Sequence, residues 1–84
     1  MHFVYILQSI LNRKLYVGRT SRLRERMIEH QNRKVWATKR MGKCELIMYE
    51  AFKSKKDAIR RERYFKTSKG KSSLKQIIRA SLLQ

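Results

Sequence analysis

Acidic residues are scarce in this 84-residue chain: six Asp and Glu stand against 22 Lys and Arg, a formal net charge of +16. Proline is absent, and cysteine occurs once, at Cys44. One thiol excludes a disulfide framework, and with only two histidines beside it a zinc site cannot be assembled. A reducing, cytoplasmic setting is the expectation that follows. No apolar run approaches the ~18–20 residues of a membrane span. The opening Met1-His2-Phe3-Val4 lacks the cationic lead of a signal peptide. With no linker, repeat or Pro-rich tract, residues 1–84 read as a single domain. So small a domain buries roughly 60–65% of its unfolded surface, and its core is thin. An apolar content of 42%, with 10% aromatic, still suffices for a compact fold.

What the chain has in excess is positive charge, and a polyanion is the expected partner. The cations recur at 13–14, 19–26, 33–43, 53–56, 60–71 and 75–79. Four of these clusters lie in or beside predicted secondary structure, so a folded nucleic-acid-binding surface is favoured over a disordered basic tail. A merely solvated basic surface would carry more balancing acids.

Residues 3–8 and 14–20 are rich in β-branched and aromatic side chains and read as two strands of an antiparallel hairpin. A loop at 9–12 would set Tyr5 and Tyr16 across from each other on one face. Thr20 or Ser21 can cap a helix over 22–32. Residues 33–44 read as a basic loop. Residues 45–52 form a third strand, expected to be central because it is the most continuously apolar. Ser54 opens a second helix to about residue 66 through a capping-box-like start ending at Asp57. A basic turn at 67–73 precedes a terminal helix over 74–83 carrying Leu74, Ile77, Ile78 and Leu82 on one side. The order β-β-α-β-α-α specifies an α+β domain, a three-stranded antiparallel sheet flanked by helices.

Some residues sit where simple patterning does not expect them. Ala58, Glu62 and Phe65 fall on one stripe of the second helix, which turns a carboxylate inward. A buried carboxylate is costly unless it pairs with a cation or metal. An ion pair with Arg26 or another arginine and a metal ligand facing a cleft are both open. Glu25, Glu29 and Asp57 are explained by solvent, caps or helical pairing, and Glu45 and Glu50 are expected to face water. Arg26 and His30 repeat the pattern at i and i+4 on the first helix. Tyr5 and Tyr16 are individually ordinary. Gly18 weakens a strand interior and suggests a bulge or the close approach of another backbone or ligand. A hydroxyl pair, an arginine, a histidine and one carboxylate form a constellation suited to phosphodiester hydrolysis. A two-metal cage needs several clustered acids; only one faces inward, and a single-metal mechanism is what remains.

These residues resemble the GIY-YIG nuclease domain, in particular its small standalone, excinuclease-like members. Phe3-Val4-Tyr5 matches the first tripeptide, and Tyr16-Val17-Gly18 matches the second. Residues 23–30 look like the helix bearing the family's arginine, with a histidine four positions on. Residues 58–63 look like the segment carrying its metal-binding glutamate. Phe3 stands where the motif has glycine, and no asparagine follows Asn32, where the family often has one near the site. The resemblance implies a DNA endonuclease using one divalent cation, Mg²⁺ or Mn²⁺. It implies catalytic roles for Tyr5, Tyr16, Arg26, His30 and Glu62. Tyr5 would activate water with support from Tyr16 and His30, Arg26 would stabilise charge on phosphorus, and Glu62 would hold the metal. Gly18 would keep the backbone low beside the scissile phosphate.

The chain has no room for a separate recognition domain, so contacts to DNA or RNA must come from the domain itself, from a partner or from substrate shape. Lys14, Arg19, Arg22, Arg33, Lys34, Lys39, Arg40, Lys66, Lys69 and Lys71 are the expected phosphate contacts, and Trp36 could stack on a base. Branched, flapped or nicked DNA is the expected substrate. The rival reading is a non-catalytic nucleic-acid-binding module that keeps the fold. A membrane-surface role fails for want of a cationic amphipathic helix with exposed aromatics. The chain is expected to be a monomer or a weak homodimer associating through its terminal helix.

Overall fold

The computed structural model describes residues 1–33 and 35–82, the side chains of Trp36 and Ala37 excepted. Strands β1 (His2–Ser9), β2 (Leu15–Thr20) and β3 (Cys44–Phe52) form one antiparallel sheet in the order β2-β1-β3. Helices α1 (Leu23–Gln31), α3 (Lys55–Phe65) and α4 (Ser68–Ile77) complete the expected β-β-α-β-α-α order, with a four-residue helix α2 (Trp36–Lys39) between α1 and β3.

The central strand is β1, not β3. Residues 3–9 of β1 carry no charge, so the strand can be covered on both faces, and Val4, Tyr5 and Ile6 have no accessible surface. β3 has Glu45 and Glu50 within it and exposes Leu46 and Tyr49; an edge tolerates this and a centre does not. The β1–β3 register slips between Ile6 and Leu7, where Ile6 faces Met48 and Leu7 faces Leu46. The slip leaves Ile47 without a partner, and Ile47 and Met48 both pack on the core. The hairpin turn runs one residue later than expected: Ser9 N–H donates to Lys14 O at 2.9 Å, and Arg13 takes a left-handed φ of 64°.

Val4 and Ile6 meet Ala58 and Phe65 of α3, Leu74 of α4 and Ile78 just beyond it in the main core. Each large side chain buried there contributes about 1.5–3 kcal/mol. Arg61 of α3 grips Glu50 of β3 through two hydrogen bonds of 2.9 and 3.2 Å, so Glu50 is tied to the helix rather than turned to water. Ser54 caps α3 by accepting from Lys56 N–H. Asp57 pairs with Arg60 and makes no capping box.

The expected basic turn at 67–73 is instead the body of α4. Residues 68–73 have no apolar periodicity, and the helix rests on two local features. Thr67 caps it by accepting from Gly70 N–H at 3.0 Å. Gly70 is buried so tightly that a Cβ there would overlap the Tyr64 carbonyl. Leu74 and Ile78 are consumed by the core and Leu82 packs against it, leaving Ile77 as the exposed member of the terminal apolar set. α1 has no side-chain cap; Thr20 Oγ1 accepts from Arg22 N–H and holds the preceding turn.

Candidate active site

β1 alternates its side chains, and the face opposite Val4 and Ile6 carries Tyr5. Its register partner on β2 is Gly18, and Tyr16 lies two residues away, opposite Leu7. The two tyrosines are thus diagonal neighbours, with ring centroids 6.2 Å apart. Gly18 supplies the room this needs: a Cβ there would overlap the Tyr5 hydroxyl and Cζ and lie 2.8 Å from Cε2. Its immediate neighbour is the Tyr5 ring, which fills the space a side chain would take.

α1 lays His30 across both rings, at 5.5 Å from Tyr5 and 5.6 Å from Tyr16. His30 is 7% exposed and Tyr5 is 0% exposed. The Tyr5 hydroxyl and His30 Nε2 are 2.8 Å apart, and His30 Nδ1 is 2.7 Å from Thr38 Oγ1. Thr38 donates in turn to Val35 O at 3.4 Å. A threonine whose proton is committed to a carbonyl accepts from Nδ1–H. That assigns neutral His30 as the Nδ1–H tautomer, with Nε2 accepting from Tyr5 O–H.

Burial pushes the Tyr5 hydroxyl up to about 12, while the Arg26 guanidinium facing it pulls the other way and the Tyr16 hydroxyl adds to the rise. Burial also lowers His30, and Arg26 lowers it further, against a smaller opposing effect of Glu29. Arg26 is 36% exposed by side chain and bonded to Glu29 Oε1 at 3.1 Å. Tyr5, Tyr16, Arg26 and His30 therefore form one cluster. Thr38 belongs with them and has no sequence signature beyond the rule that a buried imidazole needs a partner on each nitrogen.

Glu62 occupies a different position. It projects from α3, whose core-facing residues meet Val4 and Ile6, and its side chain is 19% exposed. Arg19 Nε donates to Oε1 at 3.3 Å and Lys66 Nζ to Oε2 at 3.2 Å. The inward carboxylate thus pairs with Arg19 and Lys66, not with Arg26. The two clusters flank β2 and approach each other at its C-terminal end, where Arg19, Arg22, Arg26, Glu25 and Glu29 line a shallow cleft of about 170 Å³.

Among the described residues no three His, Cys, Asp or Glu side chains gather around one point. Mg²⁺ keeps several waters and commonly takes one or two carboxylates plus substrate phosphates. Glu62 suits such an ion as its lone protein ligand, completed by water and phosphate, with Arg19 and Lys66 competing for its oxygens.

The expected phosphate contacts fall into groups. Arg19 and Arg22 are at the cleft. Lys14, Lys66 and Lys71 line a groove between β2 and α4, together with Arg13 and Lys75, which sequence reasoning had not singled out. Arg33, Lys39, Arg40 and Lys69 are exposed on the turn after α1, on and after α2, and on α4. Lys34 and the Trp36 side chain lie outside the described residues.

No helix among the described residues is long and apolar enough to cross a membrane. A search of curated proteins and a search of solved structures each find no match to the chain. The model of the GIY-YIG catalytic domain matches residues 1–76. With the hairpin that sets Tyr5 against Gly18 and Tyr16, and the helix that places Arg26 and His30 beside them, that match makes the chain a small member of the GIY-YIG nuclease family, whose substrates are nucleic acids.

Proposed function

We propose that the protein is a divalent-metal-dependent DNA endonuclease with a proton relay from Tyr16 through Tyr5 to His30. The relay's hydrogen bonding carries the reading: a tyrosine with no accessible surface spends its proton on a neutral, solvent-shielded imidazole beside an arginine. In hydrolysis a water oxygen bonds to phosphorus as the ester P–O bond breaks, and the water must lose a proton. Tyr16 is only partly buried and would present the outward hydroxyl. Tyr5, with a pKa raised to about 12, is a poor proton donor to bulk water near neutrality. It can still receive a proton on one side while passing its own to Nε2 on the other. The lowered pKa keeps His30 in the accepting form. Arg26 would face the developing charge on phosphorus. A divalent ion held at Glu62 would supply further positive charge against the phosphate. Gly18 keeps Tyr5 seated, and the exposed lysines and arginines would follow the backbone.

A specific observation favours a second reading, a binding module without catalysis: both Glu62 oxygens are occupied by Arg19 and Lys66. The two readings separate in one assay. Linear, nicked, flapped and branched DNA are incubated with Mg²⁺ or Mn²⁺ and with wild type, Glu62→Gln or Arg26→Ala. The nuclease reading expects cleavage by wild type and a loss of at least a hundredfold in each variant. Tight binding with no cleavage of any substrate would establish the binding module, and cleavage surviving in both variants would remove these residues from the site. Leu74 and Ile78 are spent in the core, which favours a monomer over a weak homodimer through the terminal helix, and the single thiol of Cys44 suits a reducing cytoplasm.

A further inference from the structure

The groove between the open edge of β2 and α4 has a composition that neither the family nor the relay explains. Its volume is about 470 Å³, inside the roughly 300–1,000 Å³ typical of ligand sites. Arg13, Lys14, Lys66, Lys71 and Lys75 line it, and no acid does. Among the described residues every acid except Glu45 is held in an ion pair, and of these five cations only Lys66 shares in one. The positive charge over the groove is therefore nearly uncompensated. Beneath it the wall is apolar, made by Leu15 and Val17 of β2 with Phe65 and Leu74 behind them. Tyr16 borders the groove as the strand residue between Leu15 and Val17, its ring turned to the other face of the sheet against Tyr5 and His30.

Duplex DNA presents phosphates and sugars outward and keeps its base faces stacked inside, so it has nothing to offer an apolar wall. An unpaired strand offers phosphates and apolar base faces together, the pairing that single-strand grooves use. An acidic peptide would satisfy the lysines and leave the wall uncovered. We propose that this groove is a binding site for unpaired nucleotides, with bases against Leu15 and Val17 and phosphates on Lys14, Lys71 and Lys75. The inference deepens the nuclease reading, but binding measured without metal tests it separately from cleavage.

The experiment is fluorescence anisotropy in EDTA at fixed salt, with a labelled oligothymidylate and a duplex of the same length. Wild type is compared with Lys71→Gln/Lys75→Gln, whose exposed side chains leave the core untouched, and with Val17→Thr, which adds a hydroxyl to the wall at similar size. Wild type should bind the single strand more tightly than the duplex. The double variant should lose about tenfold toward the single strand and much less toward the duplex. Val17→Thr should weaken the single strand alone. Equal losses toward both DNAs, no loss toward either, or displacement by oligoglutamate as effective as by oligothymidylate would each overturn the proposal.

Discussion

Replacing Gly18 by alanine tests whether this glycine exists to seat Tyr5. The added methyl would coincide with the Tyr5 hydroxyl and Cζ, and the ring has no accessible surface into which to retreat. No left-handed φ requires glycine there, so in the absence of Tyr5 the substitution should be neutral or slightly favourable in a strand. Forcing an extra methyl into a packed site costs about 1–3 kcal/mol. Displacing the ring breaks the 2.8 Å bond to His30, and the orphaned buried groups cost about 1–3 kcal/mol more. The expected loss is about 2–6 kcal/mol, against a total of roughly 4–13 kcal/mol for a domain of this length. Urea denaturation followed by circular dichroism measures it, in wild type and again in Tyr5→Leu, whose side chain lacks the colliding atoms. The cost should fall below about 1 kcal/mol in the second background. Equal costs in the two backgrounds would refute the reasoning and return Gly18 to the role suggested by its sequence alone, close approach of a phosphate.

Gly70→Ala should destabilise by about 1–3 kcal/mol, because its methyl would meet the Tyr64 carbonyl and pry α4 from α3; a thermal melt unchanged from wild type would contradict it. The raised Tyr5 pKa gives a pH dependence of known sign. Below pH 10 both states keep the proton and stability is unaffected. Between pH 10 and about 12 the unfolded chain releases it and the folded chain does not, so stability falls, by on the order of 2 kcal/mol. Urea midpoints across this range should slope less in Tyr5→Phe. Lys66→Met removes a cation from Glu62 and should tighten Mn²⁺ binding to the free protein by roughly fivefold, the equivalent of about 1 kcal/mol. Electron paramagnetic resonance of free Mn²⁺ reads this without any cleavage, and an unchanged affinity would place the ion elsewhere.

The fold was legible in the sequence where apolar periodicity was strong, and the departures have physical causes. β3 reads as the more continuous apolar run, but strand position depends on which strand can be covered on both faces, and the uncharged β1 is the one that can. The first turns of α4 contain no apolar residue before Leu74. Their helicity comes from a threonine cap and a glycine fitted against a neighbouring carbonyl, and periodicity detects neither. At the site, Tyr5, Tyr16, Arg26 and His30 are brought together because strand alternation and i, i+4 spacing determine local facing directly. The partner of Glu62 depends on a contact across 43 residues of sequence, and it proved to be Arg19 with Lys66. Thr38 lies eight residues from His30 in a stretch with no pattern, and only its position against Nδ1 marks it.

The relay itself is tested most directly by the single-turnover cleavage rate of flapped DNA between pH 5 and 9, for wild type and His30→Ala. Burial and Arg26 lower the His30 pKa, so the wild-type rate should rise along an acidic limb centred below pH 6.5 and then level off. His30→Ala should lose that limb and run about 10²–10⁴-fold slower while circular dichroism shows it folded. A limb centred above pH 6.5, or the same profile and rate in the variant, would contradict a proton path through Tyr5 to His30.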